Sequence, residues 1–378
     1  LRKIICPAKI NRNWFNFAKL YSPFVFLDVS IRQNSVNKKK SIEINMIKTS
    51  LGFYLFVALL TISQYSFSQS YAEKLGYPKD AKVIIFHVDD AGMSYEANEG
   101  TILSMDQGAA NSCSVMMPCS WVPDYFAYLK EHPDTDAGVH LTLTSEWKGY
   151  RWAPVSGGLA TPTLVDPHGY LWPAVRDVVT HGDPEELYAE IKAQVDKFIA
   201  MGIQPTHLDS HMGTLFASED FLKKYLQLGM EYQIPVMFPG GHATWIQQES
   251  NSSTLNVEQL QAIGKMLWEA GLPVLDDLHT DSYSWKIDPS IEGDDEKIQA
   301  YKTAKFMETV RMLQPGVTQI ILHATNSTPH FELISPSGSL RKGDMLAMMD
   351  PKFQQFLKDE GIILTTWREL MERRRNVK

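Results

Sequence analysis

"KVIIFHVDDAGMSYEANEG", residues Lys82–Gly100, decides how the chain reads. Val83–Val88 is a mainly apolar run of strand length, the pattern of a strand buried on both faces. It ends in two adjacent carboxylates, Asp89 and Asp90, with Gly92 close behind and a stretch of helical spacing from Tyr95. Strand, turn and helix in that order form one unit of a parallel α/β sheet, where active sites collect at the carboxyl ends of strands. Two carboxylates side by side at such an end repel unless a cation or a proton lies between them. The plainer alternative is an acidic cap on the following helix.

The unit recurs along the chain. Further strand-length runs are expected at Cys113–Met117, Ala137–Leu143, Thr206–Asp209, Pro235–Phe238, Pro273–Leu275, Gln319–His323 and Ile362–Thr365. Helices are expected at Tyr95–Gln107, Pro123–Glu131, Pro184–Met201, Glu219–Tyr232, Val257–Ala270, Asp294–Leu313 and Pro351–Glu360. "GDPEEL" places Asp183 at a helix cap, Pro184 at the first helical position and acids in the first turn. This alternation predicts an α/β fold with a parallel sheet, open or closed into a barrel, in one domain over residues 80–372. Residues 149–182, rich in Pro, Gly and Trp, read as a long loop walling a cleft.

The chain has 378 residues, 44% hydrophobic and 21% charged, enough apolar material for one large core. Residues 1–68 carry 10 basic and 2 acidic side chains, leaving 26 against 42 in the remainder. That acidic remainder argues against nucleic acid or anionic lipid as a partner. Residues 46–68, "MIKTSLGFYLFVALLTISQYSFS", have the order of a secretory signal peptide: a Lys, an apolar stretch Leu51–Ile62 and a small-x-small ending at Ser66-Phe67-Ser68. The apolar part is short for a bilayer span, so cleavage and export to the periplasm or beyond are expected rather than a membrane anchor. Residues 1–45 read as translation begun upstream of the true start. Cys6 lies in that leader. Cys113 and Cys119, about 20 Å apart if both were on one extended strand, are expected as free buried thiols, since a disulfide needs Cα atoms within about 7 Å.

Four further histidines sit at or near strand ends. His140 lies in "DAGVHLTLT" and His323 ends "QIILHATNST". In "THLDSHMGTLF", His207, Asp209 and His211 fall at every second position, which an extended backbone points to one side. Taken singly, each has a bland reading as a core or surface residue. Together, three titratable groups facing inward need partners, and a metal would supply one. Two imidazoles and a carboxylate with open positions are the ligand set of a catalytic divalent metal. Such an ion acidifies bound water and polarises a carbonyl. A free carboxylate can then act as base, and a His as acid.

The segments "IIFHVDDAGMSYEANEGTI", "AANSCSVMMPC", "DAGVHLTLT" and "THLDSHMGTLF" together resemble the YdjC-like carbohydrate deacetylases, and the likeness continues through "LRKGDMLAMMDPKFQQFLKDEGIILTTWREL". That family is similar to the polysaccharide deacetylases. The resemblance implies an irregular (β/α) barrel of about seven mostly parallel strands and one divalent metal ion, zinc favoured by ligand type and magnesium compatible. It implies removal of N-acetyl groups from amino sugars of an N-acetylated oligosaccharide. Asp89 would be the general base, His323 the general acid, and Asp90, His140 and His211 the metal ligands. Arg341 and Asp344 match the family's late pair. Met212 and Gly213 stand where the family continues with histidines, Ala324-Thr325 where Pro-Gly is common, and His87 where a small polar residue is typical. Trp121, Trp147, Tyr150, Trp152, Tyr170 and Trp172 are expected around the cleft, with Trp147 and Arg341 as substrate-binding candidates. The competing readings are another barrel metallohydrolase, of phosphoesterase or amidohydrolase type, and a secreted sugar-binding protein without turnover.

Overall fold

The run opening at Lys82 forms the central strand, β1 (Lys82–Ala91), of a computed structural model that describes residues 69–249 and 255–377. It is followed by β2 (Ser112–Val115), β3 (Ala137–Leu141), β4 (Leu208–Ser210), β5 (Asp277–His279), β6 (Gly316–Leu322) and β7 (Ile363–Leu364). The order is β4-β3-β2-β1-β6-β5, with β7 also paired to the start of β1, and every pairing is parallel. Two isolated parallel bridges, Leu208↔Val236 and Pro239↔Leu275, carry the ring on from β4 to the residue before Asp276 and β5. The result is an irregular α/β barrel. The expected strands Pro235–Phe238 and Pro273–Leu275 are present only as these bridges.

Side-chain parity along β1 explains why the barrel mouth is polar. Ile84, Phe86 and Val88 pack in the larger apolar cluster, with Phe86 edge-on to Phe306 and Phe353. Val83 and Ile85 join a second cluster with Val317, Ile321 and Trp367. His87 and Asp89 share the parity of that second face, so it turns from apolar to polar toward the carboxyl end of the strand.

The expected helices form within one residue or so of their predicted ends, because their caps are local. Ser94 accepts from Ala97 N–H, Asp183 from Glu185 and Glu186, and Ser218 from Phe221. Asn256 and Gln259 form a reciprocal capping box at Val257–Glu269. One long helix, Gly338–Met349, was not expected. Its Gly343 packs against the Asp295–Met312 helix so closely that a Cβ would lie 2.8 Å from Ile298 and 2.9 Å from Lys302. The stretch 149–182 is more than a loop: it holds a 3-10 turn at Pro162–Leu164 and a helix at Val175–His181, with Trp152, Leu164 and Leu171 buried.

The described residues, 69–249 and 255–377, belong to one compact unit. Among the described residues no helix is long and apolar enough to cross a membrane. The segments 1–45 and 46–68, and Cys6 with them, lie outside the described residues. Cys113 and Cys119 are free and buried.

Candidate active site

Adjacent residues of a regular strand point to opposite faces, so two consecutive carboxylates should not reach one cluster. β1 solves this with an irregularity. Its register against β2 shifts between Val88 and Ala91, and Asp90 adopts φ +70°, a left-handed conformation uncommon outside glycine. Both Asp89 and Asp90 thereby turn into the barrel mouth.

Asp90 Oδ1 lies 3.3 Å from His140 Nε2 and 3.3 Å from His211 Nδ1, and the two imidazole nitrogens are 3.2 Å apart. His140 comes from the end of β3. His211 opens the 3-10 segment His211–Phe216 just past β4, rather than lying on the strand itself. Each ring is held by a carboxylate on its other nitrogen. His140 Nδ1–H donates to Asp209 at 2.7 Å, and His211 Nε2–H faces both oxygens of Glu146 at 3.2 Å. Once deprotonated, the remaining nitrogen of each ring offers a lone pair on the side of Asp90, the arrangement common to metal-ligating histidines.

Asp90 Oδ2 accepts from Arg341 at 2.7 Å, whereas the buried Oδ1 has no hydrogen-bond donor. Burial alone would raise the Asp90 pKa, but Arg341 and the two imidazoles outweigh it and hold it well below the ordinary carboxylate range. Three ligand atoms about 3.4 Å apart are what a tetrahedral ion with bonds of about 2.1 Å requires. The residues fit a divalent cation. A neighbouring trio, His87, His207 and Asp209, also converges, but Ser112, Ser114 and Asp209 already occupy both nitrogens of His87.

Asp89 stands beside this cluster. Its Oδ1 is 3.2 Å from His87 Nε2, and its Oδ2 is 3.8 Å from both His140 Nε2 and His323 Nε2. The same His87 nitrogen donates to Asp209 at 2.8 Å, so one buried imidazole lies between the free carboxylate and the one that orients His140. Burial opposes protonation of His87, but its bonds to Asp209 and Asp89 prevail and lift its pKa to about 9. His323, past the end of β6, goes the other way. Burial, reinforced by the Arg341 charge, pushes its pKa down to about 4. Its backbone N–H donates to Asp344, whose other oxygen pairs with the buried Lys302.

The sequence profile of the YdjC-like protein family matches residues 83–359. The chain belongs to that family. Curated relatives include the carbohydrate deacetylase of Thermus thermophilus, 26% identical over 77% of this chain and 94% of its own length. The carbohydrate deacetylase of Thermoanaerobacter pseudethanolicus is 23% identical over 76% of this chain and 98% of its own. That of Brevibacillus brevis is 32% identical, with the match covering 41% of this chain and 59% of the relative. Among solved structures, an Enterococcus faecalis V583 protein provisionally described as a cellobiose-phosphate cleavage protein superposes with a TM-score of 0.61. It is 20% identical and covers 77% of this chain and 99% of its own. That likeness bears on the fold alone.

For this YdjC-like protein, the five residues singled out for chemistry, Asp89, Asp90, His140, His211 and His323, all meet at one barrel mouth. Arg341 is there too, but it is 2% exposed and its guanidinium pairs with Asp90. Asp344 pairs with Lys302 rather than Arg341. Trp147 lines a cleft of about 630 Å³ together with Glu146, Tyr283 and Lys286. Its ring lies 5.9 Å from the Arg341 guanidinium. Of the other aromatics, Trp152 is buried and donates to Thr144, Trp172 stacks on His181, and Tyr170 faces Arg151. His207 lies beneath the cluster, stacked on Trp367 and 4.8 Å from His87.

Two participants escaped the sequence reading. Glu146 follows β3 by five residues, and the same strand-end rule that found Asp89 could have found it. Tyr283, 4.8 Å from the His323 ring and 5.2 Å from Arg341, sits in a 3-10 turn with no sequence signal of its own.

Proposed function

We propose that the protein is a carbohydrate deacetylase that removes N-acetyl groups from amino sugars with one divalent metal ion. Asp90, His140 and His211 would hold the ion, with zinc favoured by two imidazoles and a carboxylate, and magnesium compatible. When bound, the ion would acidify a water and polarise the acetamide carbonyl. The observation that carries the reading is the convergence of Asp90 Oδ1, His140 Nε2 and His211 Nδ1 at 3.2–3.3 Å, with Asp89 free alongside.

In this reading Asp89 takes the proton of the attacking water. Its Oδ1 lies 3.2 Å from His87 Nε2, and its Oδ2 is on the side of His140 and His323. His323 is neutral at pH 7, given its pKa of about 4. To protonate the departing amine it must first collect a proton, and Asp89 Oδ2 at 3.8 Å supports a route through that carboxylate. Arg341 fixes Asp90 and keeps it ionised. The relatives' shared description as carbohydrate deacetylases supports the same activity. The signal-like order of residues 46–68 supports placing it outside the cytoplasm.

The test is acetate release from N-acetylated oligosaccharides by metal-supplemented protein, with and without chelator. Turnover abolished by chelator and restored by zinc or magnesium is expected. Acetate release unaffected by thorough chelation would refute the metal role, and no release from any N-acetylated sugar would refute the activity.

A further inference from the structure

The cleft at Trp147 has a neighbour lined in part by adjoining residues of the same two chain segments. Glu146 and Trp147 line the first cleft, whereas Gly149 and Tyr150 line the second. Across from them, Ser335–Ser337 face the first, and Leu333 and Ile334 face the second. The two segments meet at Gly149, where a Cβ would lie 3.7 Å from Leu333 O. The second cleft, about 480 Å³, falls within the range of about 300–1,000 Å³ common for small-molecule sites.

Its lining is specific in kind. Tyr95 and Trp121 are 44% and 41% exposed, with ring centroids 5.4 Å apart. Tyr150 adds a third ring, fixed by its hydroxyl on Met93 O. Exposed aromatic surface rimmed by polar groups marks a ligand groove. The polar groups here are Ser94, His330 and Glu96, whose carboxylate is held by Thr328 at 2.8 Å. Among the described residues no Lys or Arg lines this cleft. Aromatic faces suit the C–H face of a pyranose, and acceptors and donors at the edge suit its hydroxyls. With one carboxylate and no fixed cation, the lining disfavours a phosphorylated or carboxylated ring.

We propose that the Tyr95–Trp121–Tyr150 cleft binds an uncharged sugar unit adjoining the one that is deacetylated. The proposal rests on the deacetylase reading, and makes that enzyme selective for oligosaccharides over monosaccharides. Chain adjacency links the cleft to the chemistry: Ser94 and Tyr95 follow Asp89 and Asp90 by a single turn, and Trp121 N–H donates to Gly92 O.

The experiment compares kcat/KM for acetate release from N-acetylglucosamine, N,N′-diacetylchitobiose and its 6-phosphate, using metal-supplemented wild type, Trp121→Ala, Trp121→Phe and Tyr95→Ala. Wild type should prefer the unphosphorylated disaccharide. That preference should fall about tenfold in Trp121→Ala, mainly through KM, and largely persist in Trp121→Phe. An unchanged disaccharide-to-monosaccharide ratio in both alanine variants, with melting temperatures showing them folded, overturns the subsite. A faster phosphorylated substrate overturns its uncharged character. If no substrate releases acetate, the deacetylase reading fails, and calorimetric binding of the disaccharide then judges the cleft alone. Affinity weakened about tenfold by Trp121→Ala supports it, while equal affinity, or no binding by wild type, overturns it.

Discussion

Asp209 Oδ1 accepts the His140 Nδ1 proton at 2.7 Å, and its Oδ2 accepts from His87 Nε2 at 2.8 Å. One buried carboxylate thus sets the tautomer of a ligand histidine and anchors the imidazole beside Asp89. Asp209→Asn keeps the shape but can offer only one acceptor oxygen to two donors. Loss of such an orienting partner typically costs about 10–100-fold in metal affinity. Competition against a chromophoric chelator should show a drop of that size in a protein that still melts cooperatively. Undiminished affinity would mean that the His140 ring does not need Asp209.

The proposed base separates binding from turnover. Asp89→Asn removes the proton acceptor but none of the three atoms converging on the cation site. Acetate release should fall by about 10²–10⁴-fold, the usual share of general acid–base catalysis. Metal stoichiometry, measured by emission spectroscopy after gel filtration, should stay at one ion per chain. Near wild-type turnover would assign the base elsewhere.

Protonation and metal compete for the same rings. In the metal-free protein, burial works against the His211 cation, but Glu146 and Asp90 outweigh it and raise its pKa to about 9, as Asp209 and Asp89 do for His87. A folded-state pKa above the unfolded 6.5 contributes stability that is present below that value and lost as pH rises through about 9. Metal must displace the His211 proton, so its affinity should climb toward pH 9 by about tenfold per unit for each proton released. Melting curves with chelator should therefore decline across this window, and the gap to metal-loaded protein should widen. A gap that narrows with rising pH would contradict the coupling.

How far the sequence revealed this site depended on how local each determinant is. Helix caps such as Asp183-Pro184 act within one turn, and their helices were legible. Parallel strands showed as apolar runs, and their carboxyl ends pointed to Asp89, His140 and His323. The bulge that brings Asp89 and Asp90 to one side was not legible, because it depends on pairing with β2 and a left-handed Asp90. Helix Gly338–Met349 was hidden because Gly343 lowers its helical propensity while serving a close contact with Lys302. With that helix unseen, Arg341 and Asp344 could not be placed three residues apart on it, one reaching Asp90 and the other His323.

Arg341 should be structural in metal-free protein and less so once an ion is bound. Arg341 and Asp90 are 2% and 1% exposed, so Arg341→Met leaves a buried carboxylate without its strongest partner. Breaking one side of a buried pair costs about 3–5 kcal/mol. In chelated protein, urea denaturation should show a loss of that order. A bound cation would return a positive partner to Asp90, so the same substitution should cost distinctly less in metal-loaded protein. Arg341→Lys keeps the charge but not the planar fork that reaches both Asp90 and Ser337, and should fall between the two. Equal losses with and without metal would show that Asp90 and the cation do not share this site.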